Sequence, residues 1–196
     1  MTLATQKHTE TVSDAGMLWT IDPVHSRIGF SIKQFRVATV HGRFGDFQGT
    51  IHFDEDRPDA PFVEVEIDAG SIDTREKKRD EHLLSADFFD VAVYPAITFR
   101  STRVEPVSQL RRDGWLVVGD LTIHGVTRSV KLAVEQTGAG PYSRSAEEIS
   151  FSATTTISRK AFGVGFNTPL DGELLIGNDV TVTINIQAQK APVSGR

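Results

Sequence analysis

Residues 70–101 read GSIDTREKKRDEHLLSADFFDVAVYPAITFRS and hold the one convincing helix in a chain that otherwise reads as strands. Asp73, with Glu76 three residues on, has the form of a capping box, in which two side chains satisfy the orphan amides of a helix start. Charges fill Arg75 to Glu81, and Leu83, Leu84, Phe88 and Phe89 follow, so the apolar stripe is narrow and late. Asp90 and Pro95 close the segment before the strand-like AITFRS. A short helix with an apolar C-terminal end, set in a β-rich chain, is suited to capping a barrel.

On both sides of this segment the apolar residues alternate with period two. Ile28, Phe30 and Ile32 share one face of SRIGFSIKQF, and Val63, Val65 and Ile67 share one face of PFVEVEID. Val180, Val182, Ile184 and Ile186 alternate with Thr and Asn near the end. RFGDFQGTIHFD repeats the pattern with a bulge expected between Gly45 and Gly49. GWLVVGDLTIHG and VTRSVKLAVEQTG read as a hairpin turning at His124-Gly125. Eight or nine strands and a single helix leave no room for βαβ crossovers, so the sheet is antiparallel. Periodicity alone fits either a closed barrel or a sandwich.

With 196 residues the chain makes one domain or at most two small ones, and its 39% hydrophobic and 24% charged content is that of a globular protein. A net charge of −5, with no basic run, argues against nucleic acid. The absence of cysteine removes disulfides, thiol catalysis and thiolate metal sites. MTLATQKHTETVSDAG has no apolar core of a secretory signal, and no run is long enough to span a membrane, so a cytoplasmic setting without stable membrane insertion is expected. Flexible tails are expected over residues 1–17 and 189–196, around one domain at 18–188.

The histidines are scattered over different elements without a metal-binding spacing, so no metal or cofactor is expected. Arg79, Asp80 and His82 resemble an acid–base cluster, but at helical spacing 79 and 82 share a face while 80 points away. The reading places Asp80 and His82 as ties between the helix and its neighbouring loops. The twelve phenylalanines are more telling. Phe30, Phe44 and Phe99 fall on the apolar phase of strands, and Phe88 and Phe89 on the helix. A filled core and a lined ligand cavity use the same residue types, and periodicity does not separate them.

The segments WTIDPVHSRIGFSIKQF, GRFGDFQGTI, SIDTREKKRDEHLLSADFFDVAVYPAITFRST, GDLTIHGVTRSVKL and SRKAFG stand in an order and spacing that strongly resembles the YceI-like polyisoprenoid-binding family. The resemblance covers about residues 18–188, and RDEHLLSADFFD followed by YPAITFRS is its most diagnostic part. It implies an all-β, eight-stranded antiparallel, lipocalin-like barrel with one short capping helix near the end of an elongated apolar cavity. It also implies non-enzymatic binding, storage or transport of an isoprenoid lipid, either a polyprenyl pyrophosphate or an isoprenoid quinone, by an expected homodimer. Where the family often carries histidine, after SIK, this chain has Gln34.

On that reading Ile28, Phe30, Ile32, Phe44, Val65, Phe88, Phe89, Phe99 and Phe162 line the cavity. His25, Arg27, Arg79, His82 and Arg159 are the candidates for meeting the head group. The alternatives are an enzyme acting on a lipid-like or amide substrate, with His82 or His25 as acid–base, and an interaction module with a solid core.

Overall fold

The structure is a computed structural model that describes residues 16–34, 38–54, 57–107, 114–138, 147–166, 169–170, 173–174 and 176–191. Strands β1 (Gly16–Ile21), β2 (Arg27–Gln34), β3 (Ala38–Phe44), β4 (Phe47–Asp54) and β5 (Arg57–Asp68) come first. A two-residue strand β6 (Ile72–Asp73) and helix α1 (Lys77–Leu84) follow. Then come β7 (Ala96–Pro106), β8 (Gly114–Ile123), β9 (Val126–Gln136) and β10 (Glu148–Ser158). The short pair β11 (Pro169–Leu170) and β12 (Glu173–Leu174) precedes the long β13 (Ile176–Lys190). The first strand begins at Gly16 and the last ends at Lys190, slightly outside the boundaries drawn at 18 and 188. Residues 1–15 and 192–196 of the expected tails lie outside the described residues.

All pairings of the main sheet are antiparallel, in the order β1-β4-β5-β7-β8-β9-β10-β13, and β13 returns to β1 to close the barrel. The circuit has eight strands, the size at which the interior holds side chains or one small ligand. Two of its staves are broken. β1 pairs the C-terminal end of β13 through Trp19↔Lys190, Thr20↔Gln189 and Ile21↔Ala188, whereas β2 takes over from Asn185 back to Ile176. Its neighbour breaks likewise at Gly45-Asp46, between β3 and β4, where the bulge was expected. Below the break β3 pairs β2 along one edge and only the stub β6 along the other, and the segment that carries α1 lies between β6 and β7 in the chain.

The hairpin at His124-Gly125 forms as read. Both residues take positive φ, 51° and 70°, which matches the right-handed twist of the flanking strands. Tyr94 packs its ring against His124 at 4.5 Å, anchoring the end of the helical segment to this turn.

The helix itself departs from the capping-box reading. Asp73 accepts the Arg75 amide and the Arg43 guanidinium, and Arg75 turns into positive φ. Glu76 then becomes the N-cap, accepting from the Lys78 and Arg79 amides at 3.1 and 2.6 Å. The helix ends at Leu84, where Ser85 bonds back to the His82 carbonyl. Phe88 and Phe89 therefore sit in the turns after the helix rather than on it. The helix is polar and buries no residue fully, while the turns behind it carry the apolar load, Phe88 being buried.

Candidate functional site

The alternation seen in the sequence directs Val180, Val182, Ile184 and Ile186 of β13 inward, with Thr181, Thr183 and Asn185 exposed outside. The inward side chains are only half-buried because they border open space rather than one another. The interior is hollow, in two chambers. The inner one, about 180 Å³, lies within the complete barrel. Apart from the Thr155 hydroxyl and the Trp115 indole, its lining is hydrocarbon. The outer one, about 310 Å³, lies at the helix end. Together they fall in the range of ~300–1,000 Å³ typical of small-molecule sites.

Of the expected lining, Ile28, Val65 and Phe99 border the inner chamber, and Phe30, Ile32, Phe88, Phe89 and Phe162 border the outer one. Phe44 borders neither. Its ring stands behind those of Phe30 and Phe89, at 5.7 and 6.1 Å, and fixes their position. The end of the Phe30 ring lies over Gly42, where a Cβ would fall 2.3 Å from it. Glycine there permits the close approach. Gln34 also borders the outer chamber.

Three of the five head-group candidates converge. Arg79, His82 and Arg159 all border the outer chamber, whose lining among the described residues includes no carboxylate, in a chain of net charge −5. Arg79 donates from Nε to Thr74 Oγ1 at 2.6 Å and from Nη2 to the Thr74 carbonyl at 2.8 Å. Asp80 accepts from the Thr74 amide and hydroxyl, so 79 and 80 meet at one residue instead of pointing apart. His82 bonds Asp87 through Nε2 at 2.8 Å and stands edge-on to Phe88 and Phe166. Its side chain is half-exposed, so this tie between helix and loop is a surface contact.

Arg159 is the least ordinary of the three. It is 6% exposed, and its pKa is lowered because burial strips solvent from the charge. Nε donates to the Gly177 carbonyl at 2.8 Å, and Nη1 to those of Val164 and Phe166 at 2.8 and 3.0 Å. Nη2 has only a long 3.5 Å contact with the Ile176 carbonyl, so this edge is the least committed. The serine before it caps the following 3-10 turn, accepting the Ala161 amide.

His25 and Arg27 lie elsewhere. Arg27 is exposed on the outer face of β2, and His25 sits in the exposed turn after β1. His25 Nδ1 bonds Asp22 Oδ2 at 2.7 Å, which raises the imidazole pKa and lowers that of the carboxyl. The raised histidine favours folding fully below its ordinary ~6.5 and loses that effect as pH rises through the folded value. The lowered aspartate favours folding above its ordinary ~3.9 and loses that effect as pH falls through its folded value. The pair is therefore at full strength between these limits, with little consequence for stability at so exposed a site. An NMR titration should place the His25 midpoint above that of free histidine, and Asp22→Asn should bring it back down. An unchanged midpoint in the variant would show that the pair does not form in solution.

Sequence reasoning missed Thr74, Phe166 and Ile176, which also border the outer chamber. Thr74 sits in the loop before α1 and the other two around a segment without periodicity, so no alternation marked them. Among the described residues no group of three or more His, Asp or Glu side chains could hold a metal ion. No helix among them is long and apolar enough to cross a membrane.

Comparison with known proteins gives a consistent picture. A family model described as YceI-like domain matches residues 19–188. A UPF0312 protein of Pectobacterium atrosepticum is 39% identical over 140 residues, 71% of each chain. One from Pseudomonas syringae pv. syringae is 35% identical over the same extent. Among solved structures, BcnA of Burkholderia cenocepacia superposes with a TM-score of 0.74 at 25% identity, covering 86% of this chain and 99% of that one. The YceI protein of Campylobacter jejuni gives 0.66 at 28% identity, over 82% and 90%. A domain of Saccharophagus degradans described as polyisoprenoid-binding gives 0.63 at 18% identity, over 88% and 98%, a likeness of fold.

Proposed function

This chain belongs to the YceI-like family, and from that premise we propose that its barrel binds, stores or carries an isoprenoid lipid without transforming it. The tail lies in the inner chamber and the head group in the outer one, beside Arg79, His82 and Arg159. The observation that carries this reading is the pair of chambers itself, both lined mainly by hydrocarbon, the outer one bordered also by Arg79, Arg159 and the half-exposed His82. The description of the Saccharophagus degradans domain supports the same ligand class.

The energetics suffice. Burying one CH₂ contributes ~0.8 kcal/mol, so a five-carbon unit contributes roughly 3–4 kcal/mol before costs. Three or four units exceed the ~8 kcal/mol of micromolar affinity even after a substantial association penalty. The head group thus selects more than it holds. Of the two head groups that the resemblance implies, the charge balance of the outer chamber favours a polyprenyl diphosphate over a quinone. Two guanidiniums that have no carboxylate partner among the described residues suit a phosphate oxygen better than a neutral carbonyl. Homodimerisation and a cytoplasmic setting belong to the proposal on the resemblance alone.

Solvent extraction of purified protein, followed by mass spectrometry, should recover a long apolar ligand. Titration of emptied protein with a polyprenyl diphosphate should saturate below the concentration needed for the matching quinone. Protein that is empty from several hosts and binds neither lipid would overturn the reading. The enzymatic alternative rests on the His82–Asp87 pair; turnover lost in His82→Ala with binding retained would favour it.

A further inference from the structure

The two chambers meet at two side chains. Ile123, at the end of β8, and Ile157, near the end of β10, border both of them. The boundary continues around the barrel between Ile28 and Phe30 on β2 and between Val182 and Val180 on β13. Ile28, Ile67, Ile97 and Ile123 are 5, 8, 4 and 8% exposed and belong to one contact cluster that includes Phe88. Of the inner-chamber lining, Val65, Leu121 and Val130 are half-buried, while Phe99, Val104 and Val117 are buried. The cavity is therefore two rooms joined at a collar to which Ile123 and Ile157 contribute from both sides.

We infer that this collar, with Ile123 and Ile157 as its movable members, sets the length of chain the barrel accepts. The inference rests on the isoprenoid reading above. A tail that fits the outer chamber binds without disturbing the collar. A longer one must part it, and gains the apolar surface of the inner chamber only afterwards. Ile157 is the better hinge of the two, since it is half-buried and its strand neighbour Val180 faces the outer chamber. Affinity should accordingly rise with chain length in two stages, with the threshold set by bulk at 123 and 157 and not by the head group.

The test is a ladder of geranyl, farnesyl, geranylgeranyl and solanesyl diphosphates, titrated into emptied wild-type protein and into Ile157→Phe, Ile123→Phe and Ile157→Ala. A phenylalanine at either position should weaken solanesyl diphosphate by a few hundredfold more than it weakens geranyl diphosphate, the worth of one excluded isoprene unit. Ile157→Ala should speed uptake of the longest member by a larger factor than that of the shortest, which covers the case of a phenylalanine variant that folds poorly. If wild type binds no member, the isoprenoid reading itself falls. If wild type binds but the collar variants shift every length equally, or none, the collar is not the ruler.

Discussion

Ala153→Trp will lose at least about a hundredfold in affinity for a long-chain isoprenoid while melting no lower than the parent protein. Ala153 lies on β10 between Val134 and Ile184 and faces the inner chamber. An indole placed there occupies the room of the tail, and excluding even one five-carbon unit forfeits roughly 3–4 kcal/mol of burial. In a solid core the same substitution would overpack and cost ~1–3 kcal/mol. In a hollow one it gives the half-buried lining partners it lacks, so stability holds or rises. The opposed signs make the pair of measurements decisive. A melting point that falls together with affinity would mean that the chamber is filled in solution, and the lipid-binding reading would lose its foundation.

Arg159→Met will lower the melting temperature by roughly 10 °C. The guanidinium serves the carbonyls of Val164, Phe166 and Gly177, which belong to the loop beside Phe162 and to the start of β13. Methionine matches the bulk but leaves these acceptors without donors, at ~1–3 kcal/mol for each that cannot relax toward water. A net loss of about 3 kcal/mol corresponds to this shift in a domain of this size. Arg159→Lys should recover little, because one ammonium does not span carbonyls arranged around a planar fork. Differential scanning calorimetry reads the effect directly. A variant that melts with wild type would show that the loop is held by other means.

Much of the architecture was legible because the barrel imposes period two on every stave. The run from Val180 to Ile186 faces inward as its alternation required, and His124-Gly125 turns the hairpin as that dipeptide suggested. The helix was legible in existence but not in its ends. Asp73 is the better N-cap by type, yet its carboxylate is taken by the Arg75 amide and Arg43, which leaves the start to Glu76. Serine at 85 then ends the helix before Phe88, a stop that the apolar residues beyond it concealed.

The site was harder to read. Arg79 and Arg159 stand far apart in sequence and face one chamber only because the barrel closes, whereas His25 and Arg27, equally plausible by type, fall on the outside. Phe44 illustrates the limit of phase. It has the parity of a lining residue but lies where Phe30 and Phe89 screen it from the cavity. Whether the barrel was hollow depended on volumes, to which an alternating pattern is blind.

The seam between β1 and β13 also fixes where the described chain starts and stops. Gly16 and Lys190 both lie at the end of the barrel remote from α1, since Trp19 faces Lys190 while Ile176 faces Gln34. A linker attached beside Gly16 or Lys190 would therefore leave the barrel at the end opposite the outer chamber, and a protein immobilised through it would keep that chamber facing the solution.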